Sequence, residues 1–356
     1  MALSSEAYEK LVKEITDKVK GELDNPMRKV KLIAGRSNPD LASRISAELK
    51  TPLTKTDIKN FANTETFVKI DTVRGCDVFI IGPGGSYEGR SIDVHCMELF
   101  QLIGACRANG AEKIHVISPF YPYARSDKHD ESGTCIVGSL YAEILERLGV
   151  SRIISVDLHA GQEQGFFRRP FDNIYAINEH ITHLEKTLFA GLSIEERNKQ
   201  YILCSPDLGG IKRCEAWAKK LKMKHVLLHK HRNYEVPGTV LDSKLVGSQE
   251  EIKGRKVITM DDMCDSFGTS LAGARELMGY GAVGIIVIAT HGIFSGEAID
   301  RINNNECIEQ VIVTNTLPQV ENCQKSKKLQ VIDIAPLLAK VIRCVQSGES
   351  ISKIFK

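Results

Sequence analysis

Two similar doubly wound α/β domains, each on a central parallel sheet, are predicted from three features of the sequence. Short apolar runs rich in Val and Ile alternate with stretches of helical period, the pattern of parallel strands joined by crossover helices. The chain has 356 residues, about two domains' worth at roughly 150 residues each. The same order of elements also recurs at a spacing of roughly 170 residues, which reads as an internal duplication.

Residues 1–29 form an N-terminal extension. It carries Glu6, Glu9, Glu14, Asp17, Glu22 and Asp24, too acidic for a transit peptide and without the apolar stretch of a signal peptide, and it reads as a solvated amphipathic helix. The first domain is assigned to 30–175, completed by 343–356, and the second to 176–342. In the first, the run 30–34 is a strand, and Ser37-Asn38-Pro39-Asp40-Leu41 opens a helix to Leu49. A strand at 77–81, a helix at 97–108, a Gly110-Ala111 turn and a strand at 113–117 follow, and another strand ends at Val156. The second domain repeats this. A strand at 201–204 leads through Ser205-Pro206-Asp207-Leu208 to a helix ending at Leu221, and a strand at 225–228 follows. A strand at 256–260, a helix at 271–279, a Gly281-Ala282 turn and a strand at 284–289 complete the parallel.

Composition excludes several functions. Lys and Arg number 47 against 45 Asp and Glu, a net charge of +2, so binding to nucleic acid or an anionic membrane by bulk electrostatics is not expected. No apolar run is long enough for a membrane span. The ten cysteines are scattered, without a C-x-x-C pair, which fits reduced thiols and a cytoplasmic protein.

In doubly wound sheets ligands gather beyond the carboxyl ends of the strands, which directs attention to the segments after Ile81, Ile117, Val156, Cys204, Leu228, Met260 and Ala289. The most informative is Asp261-Asp262-Met263-Cys264-Asp265-Ser266-Phe267-Gly268-Thr269-Ser270. An apolar strand delivers two adjacent acids, and a turn then opens a helix. Backbone N–H groups there attract a monophosphate, the Thr and Ser hydroxyls add donors, and Gly268 lets a ligand come close. The two acids suit the vicinal hydroxyls of a sugar and a Mg²⁺ ion. An ordinary helix start capped by Asp265 would account for the turn but not for the acid pair.

This loop resembles the phosphoribosyl-diphosphate loop of type I phosphoribosyltransferases, and its companions narrow the resemblance to the ribose-phosphate diphosphokinase (phosphoribosyl pyrophosphate synthetase) family. They are Phe61-Ala-Asn63-Thr-Glu65, Val73-Arg-Gly-Cys-Asp77, Phe120-Tyr-Pro-Tyr-Ala-Arg125-Ser126-Asp127-Lys128, Asp157-Leu-His159-Ala160, Gln164-Gly-Phe-Phe167, Ser205-Pro-Asp207-Leu-Gly209-Gly210, Thr290-His-Gly-Ile-Phe-Ser-Gly296, Thr314-Asn-Thr316 and Val331-Ile-Asp-Ile334. The resemblance runs from about Val30 to Phe355, in family order.

The resemblance implies a phosphoribosyltransferase-like fold and transfer of the diphosphoryl group of MgATP to the C1 hydroxyl of ribose 5-phosphate. It implies that Asp261, Asp262, Asp265, Ser266, Phe267, Gly268 and Thr269 hold ribose 5-phosphate with Asp207, Gly209 and Gly210. Phe61, Asn63 and Glu65, reaching in from a neighbouring subunit, with Arg125, Ser126, Asp127 and His159, would meet ATP. Asp157, His159, Asp172 and Asp207 would hold Mg²⁺. Lys230, Arg232 and His159 would be catalytic, the first two leading into a mobile flap over 233–254, and the family assembles from dimers into a hexamer. From the residues alone, Asp157 and His159 project to one side of an extended segment, as do Lys230 and Arg232. His291 reads as structural.

Some positions depart from the family pattern. The loop from Gly82 to Asp93 is longer and lacks a glutamine. Ser126, Ser266-Phe267 and Arg168 replace other residue types, and Gly133, Cys135 and Ser139 stand where regulatory or subunit contacts are usual. Catalysis is expected to be intact and regulation altered. The competing reading is a non-catalytic regulatory subunit of an active synthetase; a phosphoribosyltransferase ranks last, since it needs one such domain.

Overall fold

The computed structural model describes residues 12–14, 30–82, 84–129, 131–232 and 240–355, and for 229–232 and 240–244 it describes the backbone alone. The first half contains β1 (Val30–Ala34), the hairpin β2 (Thr56–Asn60) and β3 (Thr66–Ile70), then β4 (Asp77–Ile81), β5 (Lys113–Ile117), β6 (Arg152–Val156) and β7 (Phe171–Ile174). The second contains β8 (Tyr201–Ser205), β9 (His225–Arg232), β10 (Val240–Val246), β11 (Lys256–Cys264), β12 (Gly284–Gly292), β13 (Ile308–Thr314) and β14 (Leu329–Ile332).

The duplication is visible in the topology. The first sheet runs β1-β4-β5-β6-β7, and the second runs β8-β11-β12-β13-β14 with β9 and β10 added beside β8. Every pairing in these two sheets is parallel except β9 with β10. Both faces of each sheet are covered by separate apolar layers, which is why the strands read as continuous apolar runs. Strand β4 divides its side chains accordingly. Val78 and Ile80 enter one layer, Phe79 and Ile81 the other.

Several boundaries differ from the sequence reading. The helix after β4 begins at Ile92, not at 97, because Ser91 caps it by accepting the Val94 N–H. The helix after β11 begins at Gly268 rather than 271, and β11 itself continues to Cys264. Asp261 therefore pairs with Ala289 inside the ladder instead of following the strand. The final helix, Ala335–Ser347, packs with its whole apolar face against Leu41, Ala42 and Ile45 of the first half. The chain thus returns to the first body at Ala335, earlier than 343.

The halves are pinned where their strand ends meet. Asn38 Nδ2 donates to the Asn315 carbonyl at 2.9 Å, and His291, buried at the end of β12, lies 2.9 Å by Nε2 from the Val156 carbonyl at the end of β6. Its Nδ1 is 3.0 Å from Thr316 Oγ1. His291 is thus a structural tie, as the sequence reading held. Burial lowers its pKa, so the neutral ring serves this role.

Candidate active site

Strand β11 is apolar until it reaches the seam between the halves, where Asp261 and Asp262 follow in succession. Asp262 is 4 % exposed, so its carboxylate needs partners. His159 from the first half donates from Nδ1 to Asp262 Oδ2 at 2.7 Å, and Arg213 Nη1 lies 3.5 Å from Oδ1. Burial pushes the Asp262 carboxyl up, but the hydrogen bonds from His159 and Asp261 and the Arg213 charge outweigh it and hold the group ionised. The same bond to Asp262 raises the His159 pKa against desolvation. Asp261 moves the other way, raised by burial and then by the Asp262 charge, so the pair is split into one firmly ionised acid and one more basic one.

After β11 the chain turns through Asp265, Ser266 and Phe267 into the helix Gly268–Gly279. Phe267 takes a left-handed backbone, φ 62°, with its ring buried in the second-half core. A non-glycine held in that conformation marks a turn fixed by its packing. The arrangement leaves the first-turn N–H groups of the helix around Gly268 and Thr269 at the seam, a site for an anion. Arg125 of the first half reaches this loop, its Nη1 2.5 Å from Asp265 Oδ2. Burial would raise the Asp265 pKa, but hydrogen bonds from Ser295 and Arg125 bring it below its usual value.

The neighbouring strand β8 ends at Ser205, and Asp207 opens the turn that follows. Its Oδ1 accepts the Gly210 N–H at 2.9 Å, and a Cβ at Gly210 would stand 2.9 Å from Ser205 Oγ, so a larger residue there would displace that hydroxyl. Gly209 beside it has more room. The Asp207 charge contributes to the raised Asp261 pKa, which places the two carboxylates in each other's field. Oxygen donors of this kind fit Mg²⁺, with substrate oxygens and water completing its shell.

The expected metal ligands do not gather in one place. Among the described residues no group of three or more His, Cys, Asp or Glu is arranged to hold a metal. Asp172 is ion-paired with Arg152 near the amino ends of β6 and β7, away from the site. Asp157 has a left-handed backbone, φ 40°, so the segment is not extended and its side chain parts from that of His159. Its Oδ2 accepts from Thr290 Oγ1 at 2.7 Å and from the Ala176 N–H at 3.1 Å, another tie between the halves.

The remaining positions fall into two groups. Asp127 accepts from Gln162 Nε2 at 3.2 Å, beside the His159 turn, while the Ser126 hydroxyl is occupied by the Cys135 carbonyl and the Val137 N–H. Phe61, Asn63 and Glu65 lie at the tip of the β2–β3 hairpin, where Phe61 is 51 % exposed and Asn63 Oδ1 accepts the Glu65 N–H. The hairpin is a separate sheet, and the contacts of Phe61 and Asn63 described for its tip are with Phe67 and Glu65 of the hairpin itself. Lys230 and Arg232 are carried by the backbone of β9, opposite Ser243 and Val240 of β10; their side chains and the flap segment 233–239 lie outside the described residues.

Sequence reasoning missed Arg213, Thr290 and Glu163. Arg213 sits in the first turn of a helix whose sequence looks like an ordinary basic face, and only the fold brings it to the acids. Thr290 stood within a quoted motif without a role. Glu163 is fully buried, accepts the Ala160 N–H with Oε1 at 2.8 Å, and is pushed by burial up to about 7.

Comparison with known proteins bears on the family and the fold. A model described as the N-terminal domain of ribose phosphate pyrophosphokinase matches residues 30–149, and one described as the phosphoribosyl synthetase-associated domain matches 243–356. Phosphoribosylpyrophosphate synthetase from Mycobacterium smegmatis superposes with a TM-score of 0.79 at 35 % identity, over 90 % of this chain and 99 % of that one. The chain belongs to the ribose phosphate pyrophosphokinase family. Far weaker likenesses are the APRTase from Giardia lamblia (16 % identity, TM-score 0.27, 44 % of this chain and 77 % of that one) and adenine phosphoribosyltransferase from Saccharomyces cerevisiae (21 %, 0.26, 36 % and 73 %). Membership in the pyrophosphokinase family rests on the first three matches. None of the described helices is long and apolar enough to cross a membrane.

Proposed function

We propose that this chain transfers the β,γ-diphosphoryl group of MgATP to the C1 hydroxyl of ribose 5-phosphate, giving 5-phosphoribosyl 1-diphosphate and AMP, in the manner of the pyrophosphokinase family. The observation that carries the residue-level reading is the meeting of the halves. His159 and Arg125 of the first touch Asp262 and Asp265 of the second. Two bound anions would be brought face to face there, and transfer between them depends on such placement.

In this reading the phosphate of ribose 5-phosphate sits on the N–H groups and hydroxyls of the 265–269 loop, and Asp261, still accessible at the strand end, accepts a sugar hydroxyl. Asp207, Asp261 and the nucleotide phosphates would hold Mg²⁺, which neutralises charge on the phosphates when bound. Arg125 and His159 supply fixed donors on the nucleotide side, and Lys230 and Arg232 donors over the transferring group. Phe61, Asn63 and Glu65 reach a nucleotide only from a second subunit, so the reading includes a homo-oligomer. A regulatory, non-catalytic role is not favoured, since both halves match the enzyme family and the acids, His159 and the loop are all kept.

The test is a product assay with MgATP and ribose 5-phosphate. AMP and the diphosphate sugar should form in equal amounts, without ADP. ADP as the nucleotide product, or bound substrates without turnover, would sink the reading.

A further inference from the structure

The acid pair poses a problem that the assigned roles leave open. Two carboxylates adjacent in one strand repel each other, and one of them, Asp262, is buried. Asp262 is held on both oxygens, by His159 at Oδ2 and Arg213 at Oδ1. His159 belongs to the other half and faces the nucleotide side. Among the described residues, the second half meets both acids with Arg213, which spans them from a single nitrogen, 3.4 Å from Asp261 Oδ1 and 3.5 Å from Asp262 Oδ1.

Arg213 also has a fixed origin. It lies in the first turn of the helix Ile211–Leu221, and that helix begins at the turn closed by the Asp207 side chain on the Gly210 N–H. One rigid unit of the second half therefore carries both Asp207 and the guanidinium that meets Asp261 and Asp262. Asp261 Oδ1 accepts the Asp262 N–H at 2.9 Å and a hydrogen bond from the guanidinium. Its side chain nevertheless stays 39 % exposed, so one edge remains open to a ligand while the other is fixed.

We infer that Arg213 is a positioning residue of the sugar subsite: by spanning Asp261 and Asp262 it holds the open edge of Asp261 toward the hydroxyls of a phosphorylated pentose. It acts through the acids and does not touch the reacting phosphoryl group. The inference rests on the ribose 5-phosphate reading of this loop, though not on turnover.

The experiment compares the full-length wild type with R213Q and R213K. Calorimetry measures ribose 5-phosphate binding without nucleotide, steady-state assays give KM for each substrate, and thermal midpoints report folding. R213Q should weaken ribose 5-phosphate by about ten-fold or more while the MgATP KM moves by less than about two-fold. R213K keeps the charge but not the planar fork, and should recover part of the loss. The idea is overturned by ribose 5-phosphate affinity within about two-fold of wild type in R213Q, or by both substrates weakening together with a lowered thermal midpoint in R213Q and R213K alike. A wild type that binds ribose 5-phosphate in an Arg213-dependent way yet forms no AMP would remove the activity and support this inference.

Discussion

His159 and Asp262 are separated by more than a hundred residues of chain and joined by a 2.7 Å hydrogen bond across the two halves of the molecule. The bond runs between an imidazole that is partly open to solvent and a carboxylate that is almost enclosed. Each partner raises the other's tendency to be charged. His159 of the first half is therefore oriented by an acid of the second, and in the proposed reading the nucleotide and sugar sites share this one contact.

That sharing predicts non-additive kinetics. H159A and D262N should each lower kcat/KM, and the double variant should lose little beyond the worse single one, with a coupling of about 1–3 kcal/mol. Losses that simply multiply would show that the contact has no part in turnover.

Arg125 and Asp265 should behave differently. Their ion pair is half exposed on the arginine side, so its net stabilisation is about 0–1 kcal/mol. R125A is expected to melt close to wild type but to use MgATP about ten-fold less efficiently or worse, because a donor aimed at the seam is gone. A melting loss with unchanged MgATP kinetics would assign the pair to folding alone.

Glu163 gives a stability signature. Burial raises its pKa from 4.5 to about 7, so between those values the native state binds more protons than the unfolded chain. Stability from this group then falls as pH rises through the window, by on the order of 3 kcal/mol in total. E163Q keeps an acceptor for the Ala160 N–H and cannot ionise. In denaturant melts it should gain on wild type from about pH 5 to about pH 8, and a difference independent of pH would contradict the assignment.

What the sequence shows and what it hides divides along the range of the interactions. Strands such as Val30–Ala34 and Asp77–Ile81 were legible to the residue because their apolar runs are local, whereas the acids of β11 were legible as residues but not as members of the strand itself. The early start of the helix at Ile92 was not, since it depends on a single capping hydroxyl, Ser91. Arg213 and Thr290 were hidden because their partners lie far along the chain and meet them only when the sheets abut. Asp157 and Asp172 were misplaced for the opposite reason. Their acidic type matched a metal site, while the fold spends one on joining the halves and the other on Arg152.

Lys230 supplies the sharpest test of the chemistry. It lies near the end of β9, opposite Ser243, and Arg232 follows two residues later in the same strand. In the proposed reading, a cation beside two anionic substrates contributes most where charge moves, during transfer, and little to holding a sugar phosphate already seated on its own loop. Lys230→Ala should therefore lower kcat by on the order of 10²-fold while ribose 5-phosphate affinity stays within about two-fold. Unchanged turnover would remove β9 from the mechanism, whereas a large loss of ribose 5-phosphate binding would make Lys230 part of the sugar site instead.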